Sequence, residues 1–498
     1  MGSPDRTPLL VLPLLLLLLP LLLLLLPGEL AATAIPDVAP EEGADGGDYC
    51  LSDDRRPFSG FAAMTPYAAV RPPRASFESF APEGCQPVQL WHLIRHGSRV
   101  IHKFEYSRLE VMLPTLKRMI LKSHSYGNGE LCPRDLALLR AWRTSKLDAG
   151  DTRHLTPEGR KEIEGIALRF KAAFPELVYK PYHVGKAQEE NERGKPGEGT
   201  KFAFAPSFPT YDSAVTYLET LYGRHWGHVG LDLNGSPALQ YFYFCRNYIT
   251  KVVICSKKKK PFHNFISGKF MEEVISRVSK RLGIAVTIAK LRAMYNACRY
   301  QKAWRPERPS AWCAAFTPRD LEVLEYWEDL RMYHDQGPAH SITYKQACLL
   351  GADLLLHFRR RVNDNITDID STTYFVSMEA LVPFLSLLGL FKDSEPLTEE
   401  NINPDRVWKT SKFSSYGSNL AFVLSLCEDN SWWVSALLNE VKIQLPGCDT
   451  VFGCPWGRFV EEFDYLENCD FHVLCGGISY QLRRTQTWQL LYIMNNWM

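Results

Sequence analysis

Apolar and polar positions along the chain fall into two repeats of one local pattern. "PVQLWHLI", residues 87–94, is a short run of apolar and aromatic residues that ends at Arg95, which is the composition of a buried strand. Beyond it, "YSRLEVMLPTLKRMIL" sets Leu109, Met112, Leu113, Leu116 and Ile120 at helical spacing. The order is strand, short loop, helix. The same order returns far downstream in "STTYFVSMEALVPFLSLLGLF", where Thr372 to Val376 read as a buried strand and Leu381 onward as an apolar helix. Ser377, Met378 and Glu379 stand between them. In an open parallel sheet both loops emerge at the carboxyl ends of strands, where such sheets hold ligands. Two polar loops are therefore expected to face one pocket.

The middle of the chain, residues 131–337, carries mostly helical periodicities and no internal repeat. "TPEGRKEIEGIALRFKAAF" opens with Thr156 as an N-cap and Glu158 in the first turn, and "HNFISGKFMEEVISRVSKRLG" is a second helix. "GKAQEENERGKPGEGTK" between them is polar and Gly-rich, a surface loop. The 498 residues suffice for more than one core, so a two-part architecture is expected. The 57 basic and 56 acidic side chains nearly cancel, which excludes a global field that would steer the protein to nucleic acid. Any anion preference must be local, and the run Lys257 to Lys260 reads as a solvated face.

The amino terminus adds a compartment. An apolar stretch from Leu9 to Leu26 precedes Ala32 and Ala34 at an A-x-A spacing, the pattern of a cleaved secretory signal over residues 1–34, with a retained membrane anchor as the alternative reading. The acidic, Gly-rich "PDVAPEEGADGGDY" then opens a loose leader, residues 35–84. No second segment of comparable apolar length follows, so no membrane span is expected beyond the signal. Thirteen cysteines fit an oxidising compartment and lack zinc-site spacing, so disulfides are expected rather than a metal. Sequons at Asn234 and Asn365 point the same way, to a secreted, lumenal or surface glycoprotein. The terminal "RRTQTWQLLYIMNNWM" shows neither a retention tetrapeptide nor a lipid-anchor tail.

The first loop, "WHLIRHGSRV", offers phosphate-ester chemistry. Phosphoryl transfer is mainly positioning and charge stabilisation, and Arg95 and Arg99 supply planar donors for the oxygens. A neutral His96 between them can attack phosphorus in line and hold the group as phosphohistidine. Nearby positive charge keeps that imidazole unprotonated. Glu379 on the second loop is the natural acid for the departing alkoxide. No metal or other cofactor is required.

"LIRHGSR" resembles the RHGxR motif of the histidine acid phosphatases. "LTPEGRKEIEGIALRFKAAFPEL", "CRYQKAWRPERPSAWCAAFT", "SSYGSNLAFVLSLCED" and "LLNEVKIQLPGC" are similar to the multiple inositol polyphosphate phosphatases among them. The resemblance runs from about Cys85 to Cys475. It implies an α/β fold with helices on both faces of the sheet, residues 85–130 with 338–498, and a mainly helical cap, 131–337. It implies hydrolysis of inositol hexakisphosphate and lower inositol polyphosphates, and of 2,3-bisphosphoglycerate, small anionic substrates. It assigns His96 as nucleophile, Arg95 and Arg99 as phosphate ligands and Glu379 as proton donor, and suggests the disulfides Cys85–Cys427 and Cys448–Cys454.

Three places depart from the family pattern. Val100 and Ile101 stand where the motif continues through an aromatic residue to proline, and Ser377 and Met378 replace the first two residues of a His-Ala-Glu triplet. In "KFAFAPSFPTYDS", Ala203 and Pro209 fall where relatives carry arginines. Removing a guanidinium that clamps the transferring group costs on the order of 3 kcal/mol, a hundredfold or more in rate. Arg224 and the lysines of 257–260 are the sequence's candidate replacements. The alternative reading is thus a catalytically impaired pseudophosphatase that binds phosphate ligands or a protein partner. A mutase-like transferase built on the same histidine is a third reading, against which the signal and the cysteines argue.

Overall fold

The computed structural model describes residues 50–51, 60–72, 82–144, 154–179, 199–229, 231–232, 239–254, 261–364 and 369–476. The signal segment, most of the leader, both sequon asparagines, Cys255 and the lysines 257–260 lie outside these residues. The chain divides after Gly46, and the unit from Gly47 onward carries the fold.

That fold is built on one sheet of eight strands. These are β1 (Cys85–Arg95), β2 (Gly199–Phe204), β3 (Leu231–Asp232), β4 (Ile369–Val376), β5 (Asn419–Cys427), β6 (Trp432–Leu438), β7 (Val441–Ile443) and β8 (Cys454–Pro455). They run in the order β3-β2-β4-β1-β5-β6-β7, with β8 on β6. β1, β4, β2 and β3 are mutually parallel neighbours, and the β5 to β8 side is antiparallel. The sheet is thus mixed. Pro87 is tolerated inside the central strand β1 because it sits at a register shift against β5.

Period-two alternation gives each face its own core. Leu90 and Ile94 of β1 join Phe202, Phe204 and Phe375 on one face. Trp91 and Leu93 join Tyr374, Val376 and Phe422 on the other. Among the helices that frame the sheet and its cavities are α1 (Lys103–Ser125), α2 (Pro157–Ala173), α3 (Phe208–Tyr222), α4 (Ile288–Trp304), α5 (Pro318–Asp335), α6 (Cys348–Val362) and α7 (Met378–Leu387). α2 and α3 bury Ile163, Ile166, Phe170, Tyr217 and Leu218 against the first face. α1, α6 and α7 contribute Leu113, Phe358 and Phe384 to the core of the second. This is the expected α/β class with helices on both faces.

The expected boundaries shift in one respect. β2 and β3 lie within 131–337, the interval expected to form a helical cap, yet they belong to the sheet, β2 pairing with β4 and β3 with β2. "GTKFAF" buries only its last three residues, too few for period two to stand out beside a polar Gly-rich loop. The Thr156 cap holds as expected, its side chain accepting from Gly159 N–H at 3.0 Å. Cys85–Cys427 and Cys448–Cys454 are bonded, and so are Cys50–Cys132, Cys245–Cys475, Cys298–Cys313 and Cys348–Cys469. Among the described residues no helix is long and apolar enough to cross a membrane.

Trp91 is the anchor of the second face. Its indole N–H donates to Asp353 at 2.8 Å, and its ring lies 5.8 Å from Tyr374, 5.6 Å from Phe384 and 6.1 Å from Phe422. Trp91→Ala empties that space and removes one of the Asp353 hydrogen bonds, so it is expected to cost about 3–5 kcal/mol. A denaturant midpoint unchanged from the parent would disprove this.

Candidate active site

The loop after β1 is held by backbone geometry before any side chain acts. Arg95 stands opposite Val376 in the parallel β1–β4 pair, so both strands leave the sheet at the same level. His96 N–H donates to the Val376 carbonyl at 3.0 Å, and the His96 carbonyl accepts from Gly417 N–H at 3.1 Å. Gly97 N–H reaches Ser213 Oγ at 3.3 Å. Gly97 and Gly159 touch through their backbones: a Cβ on Gly97 would meet the Gly159 oxygen at 2.4 Å. Only glycine fits there.

Glu162 of α2 completes the clamp. Its carboxyl accepts from Ser98 N–H at 2.6 Å, Ser98 Oγ at 2.9 Å and Tyr67 N–H at 3.1 Å. Burial pushes that carboxyl up to about 7 against the pull of these donors. The loop is thereby tied to α2 and to the segment around Tyr67.

His96 is buried, 6% exposed. Its Nδ1 lies 2.9 Å from the Gly97 carbonyl, which can only accept, so Nδ1 carries the proton and Nε2 presents a lone pair. Nε2 has no partner among the described residues and is not among the sealed polar atoms, so it keeps accessible surface. Burial first, and then the charges of Arg95 and Arg99, hold the ring well below its ordinary 6.5 against the opposing Gly97 bond.

The arginines are fixed differently. Arg95 Nη1 donates to the Ala63 and Ser414 carbonyls, and its guanidinium lies 4.7 Å from the centre of the Tyr416 ring. Its Nε is buried without a partner. Burial lowers Arg95 to about 10, still well above neutrality. Arg99 Nη1 donates to the Val100 carbonyl at 3.1 Å. Burial opposes its charge, but Tyr300, Tyr416, Glu105 and Glu379 together hold it above the ordinary value.

A cavity of about 470 Å³ opens beside the loop, lined by Arg95, Arg99 and Glu379. His96 does not line it, but the two arginines that flank it do. Glu379 occupies the first turn of α7, one residue after Met378 and two after the N-cap Ser377. The structure thus brings Arg95, Arg99 and Glu379 to one space and sets His96 beside it.

Sequence reasoning missed the opposite wall. Arg108 of α1, Arg292 and Arg299 of α4, and Arg331 of α5 also line the cavity, making six arginines against the four carboxyls of Glu105, Glu328, Asp335 and Glu379. Glu328 bridges Arg299 at 3.0 Å and Arg331 at 2.8 Å. Burial raises it, yet Arg299 and Arg331 prevail and bring Glu328 down to about 2. Arg299 Nε is buried and unpartnered. Arg292 lies 5.2 Å from the centre of the Trp327 ring. A signal existed in the sequence: Arg292 and Arg299 are seven residues apart, two turns along one face of an otherwise largely buried helix.

Of the positions that depart from the family pattern, only Met378 lines this cavity. Ala203 is buried in β2 and Pro209 lies in the first turn of α3. Neither lines the cavity, nor does Ser377 or Arg224. Ser377 is the N-cap of α7 by position, but its side chain makes no capping bond. Arg224 is exposed and directed at His225. Among the described residues, the further cations that line the cavity beside Arg95 and Arg99 come from α1, α4 and α5, and Arg224 is not one of them; lysines 257–260 lie outside the described residues.

Residues 235–439 match the sequence profile of the histidine phosphatase superfamily (branch 2). The chain is 26% identical over 473 residues to "Multiple inositol polyphosphate phosphatase 1" of Drosophila melanogaster, covering 90% of this chain and 96% of that one. It is 28% identical over 388 residues to the Homo sapiens protein of the same name, covering 72% and 76%. In structure it is similar to the phytase of D. castellii, TM-score 0.63 at 14% identity over 84% and 87% of the two chains. It is also similar to the multiple inositol polyphosphate phosphatase of Bifidobacterium longum in complex with inositol hexasulfate, TM-score 0.56 at 18% identity over 78% and 93%. These structural likenesses concern the fold.

The environment of His96 generates a titration prediction. Its ring is expected to stay neutral as pH falls through 6.5, read from the imidazole carbon and nitrogen shifts by NMR. Protonation near pH 6.5 would contradict the geometry. The unfolded chain does bind this proton as pH falls through 6.5, and the folded chain does not. This one group therefore removes stability on acidification, by up to about 1.4 kcal/mol per pH unit below 6.5.

Proposed function

We propose that this chain, which belongs to the histidine phosphatase superfamily (branch 2), hydrolyses phosphate monoesters of inositol polyphosphates through a phosphohistidine intermediate. The observation that carries the reading is the cavity: Arg95 and Arg99 of the β1 loop line it together with Arg108, Arg292, Arg299 and Arg331 from the helices. A single phosphate needs two or three such donors. An opposite wall of four more suits a substrate with several phosphates, inositol hexakisphosphate above all, with 2,3-bisphosphoglycerate as a smaller polyanion of the same kind.

The chemistry follows from the groups present. Arg95 and Arg99 take the non-bridging oxygens of one phosphate, and His96 Nε2 attacks phosphorus opposite the ester oxygen. The N–P bond forms as the P–O bond breaks, and Glu379 delivers a proton to the leaving alkoxide. The charge that His96 gains is spread through its Nδ1–H bond to Gly97. Water then attacks the phosphohistidine, Glu379 takes its proton, and inorganic phosphate leaves with His96 restored.

The pseudophosphatase alternative loses its ground. It rested on Ala203, Pro209 and Ser377, and the cavity has six arginines without any of them. The curated relatives are named phosphatases. Six disulfides suit an oxidising compartment, and we place the protein in the secretory pathway, secreted or lumenal, with the amino-terminal apolar stretch as its signal.

Phosphate release from inositol hexakisphosphate is the direct test. His96→Ala is expected to lower kcat by about a thousandfold or more and to abolish phosphoenzyme trapping, and Glu379→Gln to lower kcat by roughly a hundredfold. A wild-type chain, shown to be folded, that releases no more phosphate than His96→Ala would refute the reading. Arg292→Ala with Arg331→Ala should raise KM for the hexakisphosphate about tenfold or more while sparing kcat on a simple aryl monophosphate. Equal losses on both substrates would contradict a polyphosphate-reading wall.

A further inference from the structure

A second cavity, of about 790 Å³, shares no lining residue with the first. It is walled by the first turns of α2, by the segment around Tyr67 and Arg71, and by the turn Trp304 to Arg308 that follows α4. Its charges are unbalanced in practice. Arg169 is taken up by Glu440, both oxygens of Glu162 are occupied by Ser98 and Tyr67, and Glu158 stands 3.7 Å from Lys161. Arg71, Arg305 and Arg308 remain, and among the described residues none has a carboxylate within ion-pair distance. Glu307, on the same turn, is the one lining carboxylate with no such commitment.

The turn that carries two of these arginines is built rather than loose. Lys302 Nζ donates to the carbonyls of Pro306 and Arg308, and Arg308 N–H closes the turn on the Arg305 carbonyl at 3.0 Å. Two of the cavity's walls also touch the phosphate loop directly. The Trp304 indole N–H donates to the Arg99 carbonyl at 3.0 Å, and Glu162 holds Ser98 by two bonds. Two lining residues of this cavity are thus hydrogen-bonded to Ser98 and Arg99.

We propose that the second cavity is a regulatory anion site, which binds a small molecule carrying two or more phosphate or sulfate groups through Arg71, Arg305 and Arg308 and transmits its occupancy to the phosphate loop through Trp304 and Glu162. The inference rests on the phosphatase reading for what is regulated, but the binding site itself does not. Coupling between two such sites is ordinarily worth about fivefold to 150-fold in affinity.

The test uses the full chain and inositol hexasulfate, which has no phosphoryl group to transfer. Titration calorimetry is expected to find two molecules per wild-type chain and one per chain in Arg305→Ala with Arg308→Ala, two exposed positions whose loss leaves the core intact. Arg292→Ala with Arg331→Ala should weaken the other site and keep this one. A single molecule per wild-type chain, or two still bound after the 305/308 substitutions, overturns the proposal. Occupancy should also change the affinity of the first site fivefold or more in wild type and not in the 305/308 variant, and equal first-site affinities would overturn the coupling. The stoichiometry is read without turnover, so a chain that binds two molecules but releases no phosphate would sink the phosphatase reading alone.

Discussion

The parallel pairing of β1 with β4, with Arg95 opposite Val376, is the constraint on which the rest of the molecule depends. It brings two strand ends to one level, so the loop of His96 and the first turn of α7 open onto one space. A slip of one residue would turn every side chain of β1 to the other face. Trp91 would leave its aromatic neighbours and Leu90 would enter their place. The two faces of the sheet have different cores, so such a slip is opposed by both at once.

The second governing fact is an excess of desolvated positive charge. Six arginines and four carboxyls line the first cavity, and the single charge of Glu328 is shared between Arg299 and Arg331. Tyr416 and Trp327 offer ring faces to Arg95 and Arg292, which is weaker compensation than a carboxylate. The buried Nε atoms of Arg95 and Arg299 have no acceptor at all. An unmet buried donor costs about 1–3 kcal/mol. The fold carries this cost at both positions.

Much of this was legible in the sequence, and the remainder was hidden for identifiable reasons. The strand, loop and helix around Arg95 and around Glu379 announced themselves because each strand is a continuous buried run ended by polar residues. Adjacency of the two loops was an expectation from open-sheet topology that the register then gave in residues. β2 escaped because its buried portion is three residues long. The arginines of α1, α4 and α5 escaped because a charge on a helix usually faces solvent, and only packing shows that these turn toward a shared space. Ala203 and Pro209 looked like losses because a one-dimensional alignment reports what stands at a position and is silent about cations arriving from elsewhere.

The disulfides have a consequence of a different kind. Cys50–Cys132, Cys85–Cys427 and Cys245–Cys475 overlap along the chain, so every peptide bond between residues 50 and 475 lies inside at least one covalent ring. A single cut by a protease anywhere in that interval opens the backbone without releasing a piece. In a compartment rich in proteases the molecule can be nicked and still travel as one body, its two halves parting only when a reductant reaches the bridges.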